Sequence, residues 1–264
     1  MNMKKIYNKL SKEYDDFYLN GVNCFLENNN DKYCLFYPSF GIKKGEDCDF
    51  LIYGQALNGW GDTMASSVKE LDLNKIIFSF NNYLSERSHT PLDWVNVYWT
   101  KSDYNEHMDD PLLEEFYGYD DPYLTYRSFF WNLTYKTVSS YYNFERGYDF
   151  GWGWSKKIVW SNLYKIAPLK GNPNDQLKND QFEFSVELFR REIEEINPKF
   201  CLVFTNQSWF EPFKEFLKLS NIYEKESTVI TSVYRYKNTK IIVTNRPFGG
   251  NSDFYSKEVL KELI

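Results

Sequence analysis

Four side chains at the ends of apolar runs could act on a flat, polar ligand: Gln55, Asn58, Asn162 and Arg246. A buried carboxamide offers a donor and an acceptor together, so it can read the edge of a planar heterocycle. Arginine stays charged and can hold an anion or a phosphate. Gln55 and Asn58 belong to the stretch DFLIYGQALNGWGD, residues 49–62, in which an apolar run meets Gly54 and passes into a loop. Gly54 lets the backbone approach a ligand closely, because it carries no Cβ. Trp60 offers a flat face. Asp62 is the nearest carboxylate, and it reads equally as a helix cap. Asn162 stands between Trp160 and Leu163 in a second apolar run. A structural amide bonded to backbone is the alternative role for it, and a surface ion pair is the alternative for Arg246.

Strand ends become a site only where a sheet gathers them. Ile6, Leu10, Tyr14, Phe17, Val22 and Phe25 recur at helical spacing and predict a helix over residues 6–26. Buried strands are expected at 49–53, 157–163 and 200–204, with a short extended segment at 33–37. Helices are expected at 76–84, 124–142, 182–196, from a Ser208 cap to about 219, and from an Asp253 cap to 264. Segments 228–236 and 240–244 read as two strands about a Lys237-Asn238-Thr239 turn. Residues 92–121 show no clear period and read as a long inserted loop. Alternating helices and strands point to an α/β fold, with a mostly parallel sheet covered on both faces. No linker divides the chain. The expectation is one domain over 1–264, with a helical extension at about 1–48 and an insertion at about 85–155.

The 264 residues are 42% hydrophobic and 20% aromatic, enough to build a sizeable core. A net charge of -6 argues against coating with nucleic acid through bulk charge, and leaves room for a local basic face. The acidic residues between Asp103 and Asp121 read as a solvated loop. No apolar run reaches the roughly 20 residues that span a bilayer, so no membrane is expected as a partner. The basic start is interrupted by Ser11-Lys12-Glu13-Tyr14-Asp15-Asp16, which breaks any signal-peptide core, so a cytoplasmic location is expected. Cys24, Cys34, Cys48 and Cys201 form no C-x-x-C pair and read as buried thiols. Neither a metal nor a cofactor is expected.

Four segments in order resemble the uracil-DNA glycosylase superfamily: GQALNGW, WSNLYKIAPLKGNP, REIEEINPKFCLVFTN and TNRPFGGNSDFYSKEVLKELI. The second is similar to the T-N-x-x-K-x-x-P pattern of the thermostable bacterial branch. The resemblance implies a three-layer α/β/α sandwich around a short, mostly parallel sheet. It implies DNA as the partner and, as the reaction, hydrolysis of the N-glycosidic bond of a flipped-out damaged or deaminated base. It places Gly54, Asn58, Trp60, Asn162, Lys165 and Asn245 against the substrate, with Asn162 on the Watson–Crick edge of the base. It places Gln55, Arg246 and Asp62 in catalysis. The chain departs from the family in three places. The iron–sulfur cysteines of the thermostable branch are absent. Ala56 stands where the best-known branch has its water-activating Asp, and Arg246 replaces the motif His. A nucleic-acid- or nucleotide-binding protein without turnover is therefore the alternative.

Overall fold

The computed structural model describes residues 3–18, 33–42, 47–56, 64–65, 90, 92–107, 124–144, 153–168, 170–223, 227–246 and 251–264. The described helices are α1 (Met3–Asp16), α2 (Asp93–Val97), α3 (Lys101–His107), α4 (Phe129–Tyr142), α5 (Asp175–Ile196), α6 (Gln207–Phe216) and α7 (Ser252–Leu263). The strands are β1 (Tyr33–Leu35), β2 (Ser39–Phe40), β3 (Phe50–Gly54), β4 (Met64–Ala65), β5 (Ile158–Asn162), β6 (Ile166–Pro168), β7 (Phe200–Val203), β8 (Asn221–Tyr223), β9 (Ile230–Tyr236) and β10 (Thr239–Thr244).

Seven strands form one sheet in the order β2-β5-β3-β7-β10-β9-β8, and β4-β1-β6 form a small antiparallel sheet. The four central strands, β5, β3, β7 and β10, run parallel. β2, β9 and β8 pair antiparallel at the edges. The large sheet thus has the expected parallel centre, with antiparallel strands added at its edges. Its antiparallel side follows from the tight turn at Lys237 (φ 51°), which folds β9 directly onto β10.

The central strands are apolar because both of their faces are covered. Leu51, Tyr53, Val159, Cys201, Val203, Ile241 and Val243 pack with Ile6 and Leu10 of α1, Val186, Phe189, Ile193 and Ile196 of α5, and Phe210 and Phe213 of α6. The alternate residues Phe50, Ile52, Ile158, Phe200, Leu202 and Ile242 meet α2, α4 and α7 through Val95, Trp131, Leu133, Val138, Val259 and Leu263. α1 and α4 thus build the core itself, although both fall in segments expected to be an extension and an insertion. Residues 92–107 are likewise not a loop: Leu92, Val95 and Val97 are fully buried, and Leu92 and Val95 pack on the α4 side.

α5 starts seven residues earlier than its apolar period suggests. Asn174 caps it by accepting a hydrogen bond from the Leu177 amide, and Asn197 (φ 49°) ends it before Pro198. The helix expected at 76–84 lies outside the described residues. Among the described residues, no helix is long and apolar enough to cross a membrane.

Candidate functional site

After β3 the chain crosses by α4 to β5 on one side, and after β7 it proceeds toward β10 on the other. β3 and β7 are neighbours, so the crevice at their carboxyl ends is the topological switch point of the sheet, where open α/β folds bind ligands. Gln55 bridges this point: its Nε2 donates to the Thr205 carbonyl at 3.0 Å. The Gln55 backbone carbonyl accepts from the Tyr164 amide, and the Gly54 carbonyl accepts from Leu163. The turn after β5 is thereby fastened along the end of β3.

Gly54 and Asn162 are register partners. A Cβ at Gly54 would lie 2.5 Å from Asn162 Oδ1 and 3.7 Å from Phe130 Cε2. The glycine therefore makes the space in which the carboxamide lies, and Phe130, from the first turn of α4, forms its wall. Phe204 and Trp160 extend this aromatic surface, with ring centroids 6.0 Å and 6.4 Å from Phe130. Asn162 is 1% exposed, yet its Nδ2 has no hydrogen-bond partner among the described residues. A buried, unsatisfied donor costs about 1–3 kcal/mol, so such groups call for an explanation. Trp160 Nε1 on the same strand and Thr244 Oγ1 at the end of β10 share this condition. An acceptor on a flat ligand would satisfy the amide while its ring lay against Phe130.

Lys165 turns to the other face of the sheet and is fully buried. Its Nζ donates to Ser161 Oγ at 2.7 Å, to the Asn162 carbonyl at 2.6 Å and to Glu192 Oε1 at 2.8 Å. An ammonium has three N–H groups, and all three are used. Lys165, which the resemblance places against the substrate, spends its three donors on protein groups. Tyr14 and Tyr53 donate their hydroxyls to the two oxygens of Glu192. Burial, reinforced by the Glu192 charge, raises both phenols well above their ordinary range and keeps them as donors. Burial lowers the Lys165 ammonium, and the neighbouring carboxylate opposes that shift.

The structure brings Gly54, Gln55 and Asn162 together. Asn245 and Arg246 follow β10 at the same edge, two strands from β3, a separation of roughly 10 Å at ordinary strand spacing. Asn245 Nδ2 is bonded to the Thr228 carbonyl, and Arg246 is exposed. Ala56 packs partly buried against the core. Asn58, Trp60 and Asp62 lie outside the described residues.

Sequence reasoning missed Phe130 as a wall of the site, Thr205 as the partner of Gln55, and Glu192. Glu192 carried a readable signal. It falls on the apolar stripe of α5 with Leu188, Phe189 and Ile196, where a carboxylate is out of place unless paired. Compared with known protein families, curated proteins and solved structures, the chain matches none.

Proposed function

We propose that this chain is a divergent uracil-DNA glycosylase-like protein that takes a flipped-out base at the adjoining carboxyl ends of β5, β3 and β7. The observation that carries this is Asn162: a buried carboxamide whose nitrogen has no partner among the described residues, lying over Gly54 beside an aromatic wall. A donor fixed before the reaction stabilises the anion that develops on a departing base, which is the electrostatic contribution such hydrolysis needs. The order of the four sequence segments supports the same reading. The net charge of -6 requires DNA to be held locally rather than by the whole surface. Arg246 lies at this edge. α6, capped by Asn206, begins just beyond the end of β7, so the positive end of its dipole lies there as well.

The test is incubation with uracil-containing single- and double-stranded oligonucleotides followed by alkali, repeated with hypoxanthine and xanthine. Strand scission is expected for the wild type. A loss of at least about 100-fold is expected for Asn162→Ala, the usual scale for removing one preorganised donor. No scission with any of the three bases removes the glycosylase assignment. Ala56 favours a second reading, binding without turnover, because a methyl group stands at the position of the family's water-activating carboxylate. Retention of uracil oligonucleotides, weakened by Asn162→Ala and unaccompanied by cleavage, would decide for it.

A further inference from the structure

We propose that Lys165 is a positioning residue: from the opposite face of the sheet it holds the carbonyl of Asn162, and so sets where the Asn162 carboxamide points. This rests on the reading of Asn162 as the group that meets the base. The carboxamide nitrogen has no partner among the described residues, so among them its aim is inherited from its backbone. Lys165 grips that backbone at the last two residues of β5, Ser161 through its hydroxyl and Asn162 through its carbonyl.

The grip is itself fixed from three elements. Glu192 of α5 receives the ammonium at 2.8 Å, and its two oxygens are also held by Tyr14 of α1 and Tyr53 of β3. The rings of Tyr14, Phe36 and Tyr53 stand 5.7, 5.9 and 5.3 Å from Nζ, which adds cation–π contact in a site free of water competition. Gln181 then clamps the following turn. Its Oε1 accepts from the Lys165 and Ile166 amides at 3.0 Å, and its Nε2 donates to the Ile166 carbonyl at 2.8 Å.

A purely structural purpose accounts poorly for this arrangement. Both side chains of the ion pair are 0% exposed. Removing two charges from water offsets most of their attraction, and apolar replacements of such pairs are often no less stable. The pair ends, moreover, on the carbonyl of Asn162, whose carboxamide nitrogen on the opposite face has no partner among the described residues. Geometric control of that residue is what an ion pair placed here supplies and a leucine pair does not.

The decisive measurement is the side-chain amide signal of Asn162 in a ¹⁵N–¹H spectrum, identified by its disappearance in Asn162→Ala. The variant is Lys165→Met combined with Glu192→Gln, which removes both charges together and keeps the lysine stem and hydrogen-bonding partners for the tyrosines. The Asn162 side-chain signals are expected to shift, and their exchange with solvent to quicken at least ten-fold, while the backbone amides of β7 and β10 keep their positions. If the double variant does not fold, Ser161→Ala, which removes one of the three anchors, is expected to move the same signals in the same direction. Asn162 signals unchanged in the folded variant overturn the proposal. A second arm uses a uracil-containing single-stranded oligonucleotide. Adding Asn162→Ala to the double variant is expected to lose no more binding than Asn162→Ala alone, because the two changes act through one group. Additive losses count against the proposal. A wild-type protein that ignores the oligonucleotide overturns the base-binding reading and leaves the spectral result to decide on Lys165.

Discussion

A single methyl group at Gly54 would enter the space that the Asn162 carboxamide occupies, with Oδ1 only 2.5 Å from the new Cβ. The obstacle is the end of a side chain, which can swing aside, so Gly54→Ala should cost about 1 kcal/mol, at the low end of overpacking. Oligonucleotide binding should fall as far as it does in Asn162→Ala. Gly41 provides the control: there the added Cβ would meet the Ser155 carbonyl oxygen at 1.6 Å, and backbone cannot swing aside. Gly41→Ala should lose about 3 kcal/mol or more. Urea midpoints set against oligonucleotide retention separate the two, and a Gly54→Ala protein that binds normally would contradict the proposed role of the crevice. Gly54, Gln55 and Asn162 were legible in sequence because each stands at the abrupt end of an apolar run. Lys165 was legible as a special residue but not in its direction. A strand end exposes one neighbour to each face, and only the fold shows that Asn162 points to α4 while Lys165 points to α5.

At the scale of the element, the junction between β7 and α6 stores strain. Asn206 has φ 104° and ψ 166°, a region that is essentially glycine's own, and its side chain caps α6 by accepting from the Trp209 amide at 3.1 Å. The residue before it supplies the carbonyl that holds Gln55, so the strained turn lies at the switch point itself. Asn206→Gly gives up a cap worth only a few tenths of a kcal/mol over glycine and relieves a backbone cost of about 1 kcal/mol or more. It should be as stable as the wild type or more so. Asn206→Ala loses the cap and keeps the strain, and should fall by about 1–2 kcal/mol. Urea unfolding of the two variants tests this, and equal losses would show that the φ value carries no strain. The sequence assigned this cap to Ser208, and the cap of α7 to Asp253 where Asn251 serves. Each misplacement has one cause: several capping side chains stand in a row, and only the backbone dihedral selects among them. The fully buried strands β3, β5, β7 and β10 were readable to within about two residues, because burial on both faces leaves a continuous apolar run. β2, β6 and β8 are two or three residues long. Such short segments carry no period, so tertiary pairing alone defines them.

The whole molecule should be sensitive to alkali, and the sign follows from its buried protons. Burial raises Tyr14, Tyr18 and Tyr53 well above their ordinary 10.0, and raises the Cys48 and Cys201 thiols above 9.0. A group whose folded value lies above its unfolded value contributes stability that is complete below the unfolded value and is lost as pH rises beyond it. Lys165 acts in the opposite sense. Its folded value lies below 10.5, so the unfolded chain binds the extra proton, and stability rises across that interval. These five buried groups thus oppose Lys165 between about pH 9 and 11. Tyr142, Tyr164 and Tyr236, also raised, act in the same sense as the five. A fully buried group contributes roughly 1.4 kcal/mol per pH unit once its unfolded form has lost its proton. Losses of several kcal/mol are comparable with the whole stability of a domain, about 5–15 kcal/mol. Urea midpoints should therefore hold to about pH 9 and then fall steeply. Tyrosinate absorbance should rise in two phases, first from exposed phenols and then, together with unfolding, from Tyr14, Tyr18 and Tyr53. A flat midpoint to pH 11, or a single ionisation phase in a protein that stays folded, would mean that the hydroxyls around Glu192 are not sealed from water. The aim of Asn162 depends on that seal. An ammonium that water could reach would exchange its bonds to Ser161, Asn162 and Glu192 for hydration, and the end of β5 would lose its anchor.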